Sequence, residues 1–290
     1  MHQQNHRQAT NKKLVLIVGG SGGIGKQIAS DCLRNDWRVL ICSDNSGQLD
    51  QALAELKQIS EDCASIECDI ADTQSVLSMT EQVLIEEGCP DILINCAGYA
   101  TYRTFEESDW TELEHLVQVN LLGAMRCVKG FLQPMISRRS GIIVNMASIA
   151  GRMTLTPNGT YSSSKHAMVT WSEVLKYELA RFGIQVNVIC PGRVETSFFD
   201  HETFKTRAPR AETKYTITVE QVSKATLQAI ARNRFMTYVP WTFGLMVWAI
   251  NTFPWLVKPI YNRLLQSRLN SYYQLPTPSS EKQEVNGILS

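Results

Sequence analysis

The chain has 290 residues, 44% of them hydrophobic and 19% charged, which is enough apolar material for a sizeable core. Its 28 basic residues balance 28 acidic ones, so there is no overall field to attract nucleic acid and any partner must be met by a local feature. The cysteines lie scattered, without a CxxC pair or a His-rich cluster at ligand spacing, which predicts no metal site and suits the reduced thiols of a cytoplasmic protein.

Residues 1–13 are polar, lack the apolar stretch of a secretory leader, and are expected to be disordered. From residue 14 onward, short β-rich runs alternate with segments of helical period. LVLIVGG precedes IGKQIASDCLRND, WRVLICSD precedes SGQLDQALAELKQIS, and ASIECDIAD precedes TQSVLSMTEQVLIEE. DILINCAG, GIIVNMAS and IQVNVICPG continue the rhythm. Apolar runs without alternation suit strands covered on both faces. These units predict an α/β, doubly wound, Rossmann-like parallel sheet with helices on both faces over residues 14–234. Residues 235–270 turn apolar and aromatic and read as a helical extension, while 271–290 have the composition of a disordered tail.

The first strand runs into GGSGGIG, which sets Gly19, Gly23 and Gly25 between a strand and a helix. Glycines there let the backbone approach a pyrophosphate, and the helix N-terminus presents unpaired N–H groups. The second strand ends in Asp44, about twenty residues on, where a carboxylate accepts hydrogen bonds from an adenosine ribose and repels a 2′-phosphate. Asp44 as the cap of the following helix is the rival reading. With no Lys or Arg between Asn45 and Gln48, the sequence favours NAD over NADP.

YSSSK places Tyr161 and Lys165 four residues apart on one helical face. A cation beside a phenol favours the phenolate, so the expectation is an acid/base whose working pKa moves toward physiological pH.

These motifs, with NCAG at 95–98, VNLLGA around Asn120, VNMAS ending in Ser148, and PGRVET, occur in the order found in short-chain dehydrogenases/reductases, which the chain resembles over residues 14–232. The resemblance implies that Tyr161 exchanges a proton with the substrate oxygen, that Lys165 assists it and holds the nicotinamide ribose, and that Ser148 orients the substrate. Asn120 resembles the family's helix-bending asparagine, which holds a water in the proton relay. For the cofactor, the resemblance assigns the loop residues Gly19, Ser21, Gly22, Gly23, Ile24 and Gly25, with Asp69 and Ile70 at the adenine. Asn95 supports the central strand, Ala97 and Gly98 line the adenosine side, and Pro191, Gly192, Val194 and Thr196 hold the carboxamide. Val18 stands where the family usually has Thr, which puts one turn-stabilising hydrogen bond in doubt. Relatives commonly form homodimers or homotetramers through helices near 106–135 and 161–182, and the same is expected here.

The loop IAGRMTLTPNGT offers Met153, Leu155 and Pro157 as apolar walls, and residues 198–215 are expected to form a lid in which Phe198, Phe199 and Phe204 suit a lipophilic small molecule. Residues 239–257 carry no charge and approach the ~20 residues of a membrane span. Trp241, Trp248 and Trp255 recur every seventh residue, near one helical face. Three readings stand open: a helix pair over the substrate mouth, a peripheral membrane contact through 235–265, or a span. The sequence therefore points to an NAD(P)-dependent oxidoreductase interconverting a secondary alcohol and a ketone on a lipophilic substrate. Its alternatives are an NADPH-dependent keto-lipid reductase resembling 3-ketosphinganine reductases, and an inactive dinucleotide-binding relative.

Overall fold

Alternation within the buried strands decides which helices cover which face of the sheet. In the computed structural model, which describes residues 12–196, 198, 203–204 and 216–274, β1 (Leu14–Val18) lies at the centre. Val15 and Ile17 point with Val39 and Ile41 of β2 (Arg38–Ser43) toward Ile28, Ala29 and Cys32 of α1 (Gly23–Arg34). Leu16 and Val18 point the other way, toward Met79 of α3 (Thr73–Glu86), Phe131 of α5 (Ala124–Arg138) and Leu175 of α6 (Gly159–Ala180). Each fully buried Ile or Leu contributes about 1.5–3 kcal/mol relative to exposure, so covering both faces is the main source of stability.

The remaining elements are α2 (Ser46–Lys57), β3 (Cys63–Glu67), β4 (Ile92–Asn95), α4 (Trp110–Val117), β5 (Gly141–Met146), β6 (Ile184–Pro191), α7 (Val219–Ala231), β7 (Met236–Val239), α8 (Thr242–Thr252) and α9 (Pro254–Tyr273). Among the described residues the sheet has seven parallel strands in the order β3-β2-β1-β4-β5-β6-β7. The order reverses between β1 and β4, and the crevice at the carboxyl ends of such a pair is where open α/β sheets bind ligands.

The structure alters three expected boundaries. β7 pairs with β6, Val188 opposite Met236 through Pro191 opposite Val239, so the sheet extends past residue 234. α9 continues to Tyr273, beyond the start expected for the tail at 271. The uncharged stretch 239–257 is broken at Phe253, where the backbone leaves helical geometry. An α8 of 11 residues rises about 16 Å, half the thickness of a bilayer core, which removes the single-span reading. No helix among the described residues is long and apolar enough to cross a membrane. Residues 1–11 of the expected leader (1–13), Phe199 and most of the lid (199–202 and 205–215), and the tail from 275 lie outside the described residues.

Candidate active site

A cleft of about 690 Å³ opens at the β1–β4 switch point and runs from the glycine loop to the C-terminal helices. That volume falls in the range of small-molecule and cofactor sites. Val18 ends β1, and its carbonyl accepts from the N–H groups of Cys96 and Ala97 at 2.8 and 2.9 Å, joining the two loops that flank the cleft. Gly19 N–H donates to the Cys42 carbonyl at 2.8 Å, so backbone bonds hold the turn where a threonine had been expected to help. Gly19 has φ +79°, and a Cβ there would fall 2.5 Å from Ala97 N. At Gly25 a Cβ would fall 2.1 Å from the Gly19 carbonyl oxygen.

These contacts predict the effect of Gly25→Ala. Overpacking of this kind costs about 1–3 kcal/mol, and here relief requires moving the loop itself. The variant should melt several degrees lower and lose dinucleotide binding, measured by thermal melting and by NADH fluorescence titration. An unchanged affinity would show that the loop is not held to this geometry.

Ser21 Oγ donates to Ser43 Oγ at 3.0 Å, tying the loop to the end of β2. Asp44 follows, exposed on the cleft rim. The cap of α2 is Asn45, whose side chain accepts from Gln48 N–H at 2.9 Å, so Asp44 is not spent on the helix. Gly22, Gly23, Ile24, Asp69, Ile70, Ala97 and Gly98 line the same half of the cleft. The Asp69 carboxylate accepts from Ala71 N–H at 2.8 Å. Pro191, Gly192, Val194 and Thr196 also line the cleft, with Thr196 next to Gly23 of the loop. Gly192 N–H donates to the Val239 carbonyl, and the Phe243 ring of α8 fills the space beside Gly192 to within 2.3 Å of where a Cβ would stand.

Two of the expected residues lie behind the lining. Asn95 donates from Nδ2 to Asn145 Oδ1 at 2.8 Å across β4 and β5, which places it inside the sheet. Asn120 sits in a π-turn (Gln118–Gly123) between α4 and α5, fully buried. Its Oδ1 accepts from Tyr99 N–H at 2.9 Å and its Nδ2 donates to the Tyr99 carbonyl at 2.8 Å, so it brackets the chain next to Gly98.

Ser148, Tyr161 and Lys165 converge on the floor of the cleft. Ser148 ends the β5 segment, and its Oγ accepts from Ala150 N–H at 3.1 Å, which leaves its own proton to donate. α6 carries the other two. Lys165 is buried, donates to the Met146 carbonyl at 3.0 Å, and holds its Nζ 5.9 Å from the centre of the Tyr161 ring. Burial pushes the Lys165 ammonium down to about 8. Burial likewise pushes the Tyr161 phenol up to about 12, against a lowering contribution from Ser148.

That direction reverses the expectation for Tyr161. Shared helical spacing brought phenol and ammonium together, but the ammonium lies against the ring and burial dominates. The site stores a protonated tyrosine at neutral pH. The Cys96 and Cys190 thiols near Lys165 are themselves pushed up to about 12 by burial and remain neutral, so they offer the ammonium no counter-charge.

Phe198 and Phe204 line the cleft beside Tyr161, and a buried aromatic cluster with Tyr102 and Tyr272 backs them. Tyr161 meets Phe198 edge-on at 5.7 Å, and Tyr102 packs on Phe204 at 5.3 Å and on Tyr272 of α9 at 5.7 Å. Arg268 of α9 lines the cleft, with its guanidinium 5.8 Å over the Tyr102 ring. Of the expected apolar walls, Leu155 lines the cleft, while Met153 packs under Val247 and Ile250 of α8. Sequence reasoning missed Tyr99, Asn158 and Arg268 at the site, and Tyr272 in the cluster behind it. Tyr99 directly follows NCAG and was within reach of that motif. Arg268 and Tyr272 come from a helix more than a hundred residues beyond Tyr161 and had no local signal.

The short chain dehydrogenase family profile matches residues 13–207. Ketoacyl reductase HetN of Nostoc sp. is 31% identical over 218 residues, 75% of this chain and 75% of its own. The 3-ketodihydrosphingosine reductase of Bos taurus is 30% identical over 230 residues, covering 76% of this chain and 69% of that protein. A variant of actinorhodin polyketide ketoreductase, solved with NADPH, superposes with a TM-score of 0.73 at 27% identity over 79% of this chain and 95% of that one. A Burkholderia phymatum protein solved with NAD shares the fold, with a TM-score of 0.77 at 23% identity over 84% and 95% of the two chains.

Proposed function

The chain belongs to the short-chain dehydrogenase family, and from that premise we propose that it interconverts a ketone and a secondary alcohol on a lipophilic substrate with NAD(H) as partner. The observation that carries this reading is the convergence of Ser148, Tyr161 and Lys165 at one point of a cleft whose other half is the glycine loop. The residues fit a dinucleotide: Gly19 and Gly25 let the loop fold tightly on itself and on Ala97, Gly22 opens onto the cleft with nothing within 4 Å of where a Cβ would stand, and Gly22 is also the N-cap of α1, so that helix's N-terminus lies at the cleft. The nicotinamide would supply the hydride exchanged with the substrate carbon.

The protein's own groups manage charge and protons. Reduction of a carbonyl develops negative charge on oxygen, which a preorganised donor stabilises as it forms. The Ser148 hydroxyl and Tyr161 phenol are the donors in reach, and a phenol held at about 12 is protonated at neutral pH and ready to give its proton. This supports ketone reduction as the direction favoured by the site's resting protonation. Lys165 holds a positive charge behind the phenol, in position to stabilise the phenolate once the proton has left.

The lipophilic reading rests on Phe198, Phe204 and Leu155 in the cleft lining, with Tyr102 and Tyr272 in the buried cluster around Phe204. It agrees with relatives named for reducing ketoacyl groups and 3-ketodihydrosphingosine. The NAD preference rests on Asp44, an acid on the rim with the capping duty taken by its neighbour Asn45. A 2′-phosphate beside a carboxylate suffers like-charge repulsion. NADH should therefore bind at least about tenfold more tightly than NADPH, a difference of ~1.4 kcal/mol, in titrations read by energy transfer from the tryptophans. Asp44→Arg should reverse the order. Equal affinities in the wild type would remove the preference, and binding of neither dinucleotide would leave an inactive relative.

A further inference from the structure

Among the described residues, exposed large apolar side chains gather on the outer face of α8 and α9. Trp241, Trp248 and Trp255 are 70%, 58% and 72% exposed, although large apolar side chains usually find cover. They form one surface: Trp248 meets Phe253 edge-on at 5.6 Å, and Phe253 meets Trp255 at 6.0 Å, carrying the patch round the corner between the helices. Leu256, Ile260 and Leu264 extend it along α9 at four-residue steps, each 63–65% exposed. The next step of four is Arg268, which lines the cleft. The apolar stripe thus leads to the substrate end of the site.

Charge identifies what covers this face. Between Trp241 and Tyr273 there is no Asp or Glu, and the three charged residues, Lys258, Arg263 and Arg268, are all basic, in a chain whose total charge is zero. A second copy docking through a two-fold axis would set these cations against themselves. Tryptophans beside exposed Lys and Arg suit the headgroup zone of a membrane.

We propose that the α8–α9 face docks on the surface of a bilayer containing anionic lipid, with the cleft mouth toward it. The inner face shows that this is a built arrangement. Val247 and Ile250 pack on Met153, the Tyr261 hydroxyl donates to the Thr154 carbonyl, and the Tyr272 hydroxyl donates to Glu107, so the pair is anchored to the site while its outer side stays bare. The orientation of the mouth rests on the lipophilic-substrate reading above, whereas the docking itself does not.

The test is cosedimentation of the full chain with vesicles of phosphatidylcholine alone or mixed with phosphatidylglycerol. Binding should favour the anionic vesicles and weaken with salt. Lys258→Gln with Arg263→Gln should weaken it about twenty-five-fold, from roughly fivefold for each basic residue near an anionic surface. Trp248→Ser with Trp255→Ser should reduce binding to either vesicle. Both variants should keep wild-type turnover of a small soluble ketone, and the charge variant leaves the helices' packing untouched if the tryptophan variant folds poorly. No vesicle binding, equal binding to both vesicles, or a dimer by ultracentrifugation that the tryptophan variant dissolves would overturn the proposal. Vesicle binding without ketone turnover would instead count against the oxidoreductase reading.

Discussion

Tyr161→Phe protein should bind NADH as wild type does and reduce ketones about 10³-fold more slowly, within the ~10²–10⁴-fold that general acids contribute. The substitution removes one hydroxyl and leaves the ring, so the edge-on contact with Phe198 and the packing beneath it persist. What disappears is the proposed proton donor. Ser148 can donate a hydrogen bond there but cannot give up its proton in Tyr161's place, because a serine hydroxyl is a far weaker acid than a phenol. The pH profile carries a second, independent expectation. Burial raises the phenol from 10 to about 12, so the protonated form prevails across the neutral range. Loss of the Tyr161 proton should therefore leave ketone reduction unaffected up to mildly alkaline pH. Alcohol oxidation, which needs the phenolate, should rise with pH over the same interval. Steady-state kcat/KM in both directions on one substrate pair reads this directly. Turnover of the Phe variant within tenfold of wild type would show that another group handles the proton.

The parts of this protein that are legible in its sequence are those whose physical cause is local. β1 reads as a strand because LVLIV is apolar at every position, and the glycine loop reads as a loop because Gly19 and Gly25 meet backbone where a Cβ would not fit. Tyr161 and Lys165 share a face because helical spacing makes them do so. What the sequence concealed was burial. No spacing rule reports that Lys165 would lie among neutral thiols and backbone, so the sign of the Tyr161 shift came out reversed. β7 was hidden for a related reason, since the residues from Met236 to Val239 look like the start of the aromatic segment and become a strand by pairing with β6. The Asp44 ambiguity was resolved by a neighbour: two Asx-type residues stood in line for one cap, and Asn45 took it. Arg268 reaches the site, and Tyr272 the cluster behind it, only through the tertiary path of α9.

Lys165→Met should be a more stable and nearly inactive protein. An ammonium with a pKa of about 8 in the fold and 10.5 in the unfolded chain carries a burial penalty of about 3 kcal/mol below pH 8, at 1.36 kcal/mol per unit. Methionine has nearly the same reach and no charge to desolvate. It gives up the bond to the Met146 carbonyl, worth about 1 kcal/mol, so the net gain should be about 2 kcal/mol, or roughly 4–8 °C in Tm for a chain of this size. The sign of the pH dependence follows from proton counting. Between 8 and 10.5 the unfolded chain binds the proton more tightly than the folded one, so wild-type stability rises with pH across that window. The variant has no such group, and its advantage should shrink by more than half by about pH 9.5. Turnover should fall ~10²-fold or more, because the charge that would stabilise the Tyr161 phenolate is gone. Chemical denaturation of both proteins at neutral and alkaline pH separates this from a packing effect: a gain that does not change with pH would place its origin in shape, and no gain would mean that Lys165 is solvated in solution. If the gain appears and activity is lost, the destabilising ammonium beneath the proposed proton donor is kept for chemistry rather than for stability.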